Sequence, residues 1–392
     1  MDDLQLLAKP TLGVGFRHPM SWSQSVVDRP SDVRTTGKPC SIGVLKGEGV
    51  GPEVVGAALQ VLAALEQECA SVFSVSFGGS IGMESERESG KALSGAVTQF
   101  CADIFAKGGA ILAGPGGGRF VYDMRRRFDL FCKISPLAAH GVLRNAGRMK
   151  AQQGAQIDIL VVRENAAGIY QGEWTETRGA NNERIALHRF SYSESEVRRI
   201  LEVAARISRQ RRGELVVVTK PSGIPTVSRL WLDVAEQVSQ DFGIKIVPME
   251  VDYAAYYLVQ HAQSLDVVVT PNLFGDVISD IGGVLVGSRG LCYSGNFSGQ
   301  GYGVYQTNHG AAHDLAGTDR ANPAGQIFSL AMMLRESFGL VEEATLIERA
   351  VVETWRQGWR TADLAERGCR VIGTREMADR ICESLHVVSE SL

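Results

Sequence analysis

The stretch Asp266-Val-Val-Val-Thr270-Pro-Asn-Leu-Phe-Gly-Asp276-Val-Ile-Ser-Asp280-Ile-Gly-Gly-Val-Leu-Val286 decides the architecture. Its first residues form a short β-branched run stopped by proline, the pattern of a strand buried on both faces. From Phe274 the apolar residues recur at helical spacing, and Asn272 stands where a helix N-cap is wanted. Outward from this pair the alternation repeats. Strands are expected over 41–45, 72–77, 110–113, 158–162, 215–219 and 244–251. Helices are expected over 52–68, 94–107, 194–209, 227–242 and 254–263, with two more over 323–338 and 342–355. Such alternation predicts an α/β fold with mostly parallel, buried strands. The glycine-rich stretch 287–303 reads as a loop-rich crossover, and residues up to about Lys38 as an extension, flexible or draped over the surface.

Composition narrows the function. The 392 residues are 44% hydrophobic and carry a net charge of -4, which gives no support for a nucleic-acid or anionic-membrane partner, either of which needs a concentrated basic surface. Apolar runs are strand-sized and too short for a bilayer. Seven scattered cysteines without a CxxC pair argue against a disulfide framework and for a reducing, cytoplasmic setting. Neither G-x-G-x-x-G nor a P-loop occurs. Gly78-Gly-Ser80-Ile-Gly82 imitates a nucleophile elbow, but the polar segment 84–90 that follows reads as a turn rather than the helix an elbow needs. Gly47, Gly49 and Gly51 before Pro52 read as a tight strand-to-helix turn.

Asp276 and Asp280 are four residues apart, on one helix face among apolar neighbours. Two such carboxylates suit a hard divalent cation such as Mg²⁺ or Mn²⁺; equally, they suit the positive end of a helix dipole. Asp252 ends one strand and Lys220 another, the edge where ligands collect in α/β sheets. Lys220 is a base if desolvated and a snorkelling surface lysine if not. Arg125 and Arg163 are candidate forks for carboxylates. The segment His309-Gly-Ala-Ala-His-Asp314-Leu-Ala-Gly317, followed by Asn322-Pro323, is small enough for close approach to a flat ligand.

Three of these segments together resemble the β-decarboxylating dehydrogenases, the isocitrate, isopropylmalate, homoisocitrate and tartrate dehydrogenases. They are Asn272 to Asp280, His309 to Pro323, and Arg163-Glu-Asn…Gly168-Ile-Tyr170, in family order. The resemblance implies a two-domain fold with central sheets flanked by helices and no standard Rossmann loop. Residues 1–39 would be an extension, 40–132 with 288–392 a discontinuous cofactor-binding domain, and 133–287 a smaller domain carrying catalytic and dimer-interface residues. It implies NAD- and metal-dependent oxidative decarboxylation of a 3-substituted (2R)-malate by a homodimer with shared sites. Asp276 and Asp280 match metal ligands, joined by Asp252 and the catalytic Lys220 of the neighbouring subunit. Tyr170 matches the catalytic tyrosine, and Arg125 and Arg163 the substrate arginines. His309, Gly310, Ala311, Asp314, Leu315 and Asn322 match the cofactor segment, where Asp314 favours NAD over NADP.

Departures from the pattern point to a specialised substrate. Ser135 stands where the family has a third substrate arginine, and Lys133 where it often has asparagine. The substituent-reading loop over 114–122 is shortened and carries Arg119, suited to an extra anionic group. Ser222 replaces an asparagine beside Lys220, and Gln306 a glutamate before His309. A non-catalytic regulatory subunit is the alternative, against which the retained Tyr170, Lys220, Asp252, Asp276 and Asp280 count.

Overall fold

The computed structural model describes residues 21–27, 39–146 and 157–390. The first half runs β1 (Cys40–Leu45), α1 (Gly51–Glu68), β2 (Phe73–Phe77), α2 (Gly82–Ser89), α3 (Gly95–Ala106), β3 (Ala110–Ala113), α4 (Phe120–Arg127), β4 (Cys132–Ala138) and β5 (Asp158–Glu164). A hairpin, β6 (Glu173–Arg178) and β7 (Arg184–Arg189), precedes α5 (Glu194–Gln210), β8 (Glu214–Thr219), α6 (Pro225–Phe242), β9 (Lys245–Glu250) and α7 (Val251–Gln260). Then follow β10 (Val267–Thr270), α8 (Asn272–Val286), β11 (Tyr293–Phe297), β12 (Gly303–Thr307), α9 (Ala324–Phe338), α10 (Val341–Arg356) and α11 (Thr374–Ser389).

One ten-stranded sheet, ordered β2-β1-β3-β12-β11-β4-β5-β10-β8-β9, runs through the molecule. Its wings are parallel, each strand returned by a helix, while β12, β11, β4 and β5 pair antiparallel at the centre. The α/β expectation therefore holds. The buried-strand expectation fails at the two edges, where β2 and β9 are largely open to solvent.

Three further differences have physical causes. The stretch read as a crossover contains β11, paired with β12; its Tyr-Ser-Gly-Asn-Phe sequence lacks a β-branched run, and Asn296 is tolerated because Val304 O and Asn165 satisfy its amide. The polar segment after Gly82 is the helix α2, not a turn. The buried Glu48 carboxylate accepts from Glu84 N at 2.7 Å and so caps it from outside, and Gly90, at φ 73°, ends it in the left-handed region. Ser80 nevertheless has no histidine or carboxylate hydrogen-bonded to it among the described residues, so no nucleophile elbow results. Third, α8 begins at Asn272 with Pro271 before it, and the Asn272 side chain is turned away from the helix end.

Of the N-terminal extension only 21–27 is described, and it is docked. Trp22 and Val26 are buried, Ser23 N and Ser21 Oγ donate to Glu336 on α9, and Arg206 on α5 donates to Ser25 O. Among the described residues no helix is long and apolar enough to cross a membrane.

The α9–α10 packing encloses a two-pronged ion pair, Arg335 Nη1 and Nη2 donating to Glu348 Oε1 and Oε2 at 2.6 and 2.8 Å. Removing one partner leaves the other charge buried. Glu348→Ala should therefore lower urea-unfolding stability by about 3–5 kcal/mol. A loss below about 1 kcal/mol, the range of a surface pair, would contradict this account.

Candidate active site

The carboxyl ends of β5 and β10 meet the start of α8, and the contact is built around Arg163. This side chain is 2% exposed. Its Nε and Nη2 donate to Asn272 Oδ1 at 3.0 and 2.7 Å, and its Nη1 to Asp276 Oδ1. Asn272 Nδ2 donates in turn to Ala167 O at 2.7 Å. Asn272 is thus a clamp for the arginine rather than the helix cap expected from sequence. Glycine is required at 275, since a Cβ there would lie 2.2 Å from Thr270 Oγ1 and 2.7 Å from Arg163 Cγ.

Glu164, fully buried at the end of β5, accepts from the Ala166 and Ala167 amides and shapes the turn that leads to Tyr170. Tyr170 OH donates to Asp276 Oδ2 at 2.8 Å. Burial and then the Asp276 charge push the Tyr170 phenol well above its ordinary value, so it stays neutral. Burial alone would raise Asp276, but Arg163, Lys133 and these hydrogen bonds hold it below the usual carboxylate range. It keeps 41% of its side chain open to solvent.

Positive charge gathers on the same wall. Arg125 is buried on α4, with its neighbours Arg126 and Arg127 exposed. Burial, then Arg163, draws the Arg125 guanidinium down to about 9. Lys133 on β4 is buried nearby. Arg119 sits half-exposed at the rim, stacked over Trp174 and Tyr122 at 4.7 and 5.3 Å and donating to Tyr170 O at 3.2 Å. Ser135 is buried, its hydroxyl 3.3 Å from Asn308 Nδ2. Tyr122, whose ring lies 5.1 Å from that of Tyr170, went unrecognised in sequence because a lone tyrosine in a polar helix gives no signal.

Lys220 and Asp252 are brought together, but in a separate cluster. Lys220 Nζ donates to Glu250 Oε2 at 2.6 Å and Asp252 Oδ1 at 2.8 Å. Of the two readings left open for Lys220, the structure favours the solvated one: bonds to Asp252 and Glu250 raise Lys220, and burial does not bring it below its ordinary value. Glu250, the last residue of β9, is the partner that sequence reading missed. Asp280 is half-exposed and pairs with Arg289 at 3.0 Å. Among the described residues no three His, Cys, Asp or Glu side chains of one chain converge as a metal cage. Asp276 and Asp280 fit half of a hard-ion site, by donor chemistry and shared helix face, and need a third donor from elsewhere.

The segment from His309 to Asn322 packs on the turn after β1. Val50 N donates to Ala311 O at 2.8 Å, and a Cβ at Gly49 (φ +58°) would stand 1.9 Å from that oxygen. Burial lowers His309, leaving a neutral imidazole, and its Nδ1 lies 2.9 Å from Gly310 O. Leu315 packs with Ala312 against Val50, Val54 and Ala321, and Asp314 is exposed. The Asn322 side chain is committed, accepting from Ala324 N and donating to Asp363. Just before the loop, Thr307 Oγ1 and Asn308 Oδ1 are buried and have no partner among the described residues, which fits a polar ligand supplying them.

Residues 41–381 match the isocitrate/isopropylmalate dehydrogenase family. A 3-isopropylmalate dehydrogenase of Aquifex aeolicus is 34% identical over 371 residues, covering 90% of this chain and 99% of that protein. One from Pseudomonas fluorescens is 36% identical, covering 87% and 98%. The crystal structure of isocitrate dehydrogenase from Methylococcus capsulatus superposes with a TM-score of 0.78 at 28% identity, over 88% of this chain and 99% of that one.

Burial, only partly offset by the Ala166 and Ala167 amides, raises Glu164 from 4.5 to about 7. The folded state therefore holds a proton that the unfolded chain releases earlier, and this share of stability is lost as pH climbs from about 4.5 to 7. In paired melts of wild type and Glu164→Gln, the wild-type advantage should shrink from about pH 5 to 7 and level off above about 8. A difference constant across that range would mean that Glu164 titrates normally.

Proposed function

The chain belongs to the isocitrate/isopropylmalate dehydrogenase family, and we propose that it performs NAD- and divalent-metal-dependent oxidative decarboxylation of a 3-substituted (2R)-malate. A dehydrogenase of this type is what the family match gives; substrate and cofactors are our reading. The observation that carries it is the wall of Arg125, Lys133 and Arg163. These are three buried basic side chains gathered around Asp276, with Asp280 already paired to Arg289 and the neutral Tyr170 phenol alongside. Such a gathering suits an incoming dicarboxylate.

Arg125 and Arg163 would hold the two carboxylates and so fix which face of C2 is presented. Asp276 and Asp280, with Asp252 of a second copy, would hold the divalent ion, and the segment from His309 to Asn322 the nucleotide. The exposed Asp314 carboxylate would repel a 2′-phosphate, which favours NAD. When bound, the nucleotide supplies a hydride acceptor and the ion supplies charge stabilisation at the hydroxyl and at the oxygen left after CO₂ departs. Lys220 of the second copy would accept the hydroxyl proton. As it stands Lys220 is protonated, so this role requires Asp252 to give up its bond to the ammonium. Tyr170, kept neutral by its surroundings, holds the proton that C3 takes once CO₂ has left.

A second copy has a surface to meet. The outer faces of α7 and α8 expose Tyr253, Tyr256, Val277 and Val284 beside Asp252 and Asp280, and Trp174, Ile185 and Leu187 are exposed on the β6–β7 hairpin. A homodimer that buries these helices would bring Lys220 and Asp252 towards Asp276 of the other protomer. The seven free thiols accord with a cytoplasmic location.

NADH formation at about 340 nm, with NAD and Mn²⁺, should appear with at least one of isocitrate, isopropylmalate, homoisocitrate, D-malate, tartrate or a phosphonomethylmalate-type acid, and vanish with EDTA or Asp276→Asn. Silence on the whole panel with intact NAD binding would favour a regulatory subunit. Lys220→Ala and Asp276→Asn proteins, each inactive alone, should recover about a quarter of wild-type activity when unfolded and refolded together, since half the dimers then hold one intact site. No recovery would rule out shared sites.

A further inference from the structure

Strand β4 places Lys133 and Ser135 two residues apart, hence on one face of the sheet. The register sets Lys133 directly opposite Arg163 on β5 and opposite Asn296 on β11. Side chains so paired rise together from the same face. Lys133 is 4% exposed, yet among the described residues its ammonium makes no hydrogen bond or ion pair. The groups that border it are spoken for. Asn296 is bonded to Asn165 and Val304, and Asp276 is divided between Arg163 and Tyr170. Ser135 faces Asn308.

Like charges opposite one another across strands repel, and an ammonium largely withdrawn from water without a partner costs more still, though its nitrogen is not wholly sealed and an incoming ligand can reach it. Burial first, then Arg163 and Arg125, disfavour the Lys133 charge, with Asp276 and Asp280 as the opposing attractions. These attractions do not outweigh burial and the two arginines, so the protein's own groups do not repay keeping a lysine here. An anion arriving beside Arg163 would.

We infer that Lys133 is a specificity-determining contact, its ammonium binding a substrate carboxylate alongside Arg163 and so selecting dianionic hydroxy acids. This rests on the reading of the pocket as a hydroxy-dicarboxylate site. The lysine is then retained against folded stability, and the two properties separate on mutation.

The experiment compares wild type, Lys133→Met and Lys133→Arg in three readouts: melting temperature without ligand, calorimetric binding of D-malate with Mn²⁺, and KM and kcat for the acid turned over by wild type. Lys133→Met should melt at the same temperature or higher while binding D-malate about 10- to 100-fold more weakly, the loss of one charge-assisted contact. Its KM should rise more than its kcat falls, with Lys133→Arg intermediate. Unchanged affinity and KM in Lys133→Met would overturn the inference and leave the proposed function standing. A lower melting temperature in step with weaker binding would also overturn it, in favour of a packing role. A wild type that neither binds D-malate nor turns over any acid of the panel would overturn both readings.

Discussion

A guanidinium does not give up its proton at physiological pH, so burying Arg163 is the constraint that the surroundings must meet. They meet it with an amide oxygen from Asn272 and a carboxylate from Asp276, both delivered by the first turns of α8. Meeting it fixes much else. The helix must start at a set height above the sheet, residue 275 can carry no side chain, and Ala167 must present its carbonyl to Asn272. Tyr170 then reaches the second oxygen of the same carboxylate. Structural and chemical demands are satisfied by one contact.

The two candidate proton carriers show how environment divides labour. Tyr170 lies in the burial shadow of β5 and α8 beside a negative charge, and both effects keep its proton on. Lys220 lies in the open between two acids, and they keep its proton on as well. Neither group of the isolated chain is set to release a proton at neutral pH. For Tyr170 that is the state a proton donor should rest in. For Lys220, if it is to act as the acceptor proposed above, it is a state that would have to change, and an assembly that occupies Asp252 would change it.

Much of this was legible in the sequence, because apolar runs and helical spacing are local. The helices after β1, β8 and β10 and the strands they follow lie nearly where local spacing puts them, and the structure brings Arg163, Tyr170 and Asp276 into contact. What escaped depends on distant partners. Strand β11 is built from Tyr, Ser, Gly, Asn and Phe, and only its neighbours in the sheet make it a strand. Helix α2 is polar throughout and owes its first turn to Glu48, 36 residues away. The β6–β7 hairpin, exposed along its length, shows no inward and outward alternation to detect. Burial of Lys133 was likewise invisible, since a single lysine in a strand is ordinarily at the surface.

Glu48 carries a consequence of its own. Its carboxylate receives the amides of Glu84 and Gly117, its own amide binds Pro115 O, and the neighbouring Val50 amide binds Ala311 O. One short turn thereby pins three segments that are far apart in sequence. Variation in the 114–122 loop is not free, because any insertion or deletion must return Gly117 N to the same carboxylate. A shortened loop such as this one must therefore still close on Glu48, and Arg119 is carried on that tethered frame. Transplanting this loop between relatives without the matching residue at position 48 would disturb the seat of the Ala311 segment along with the loop itself.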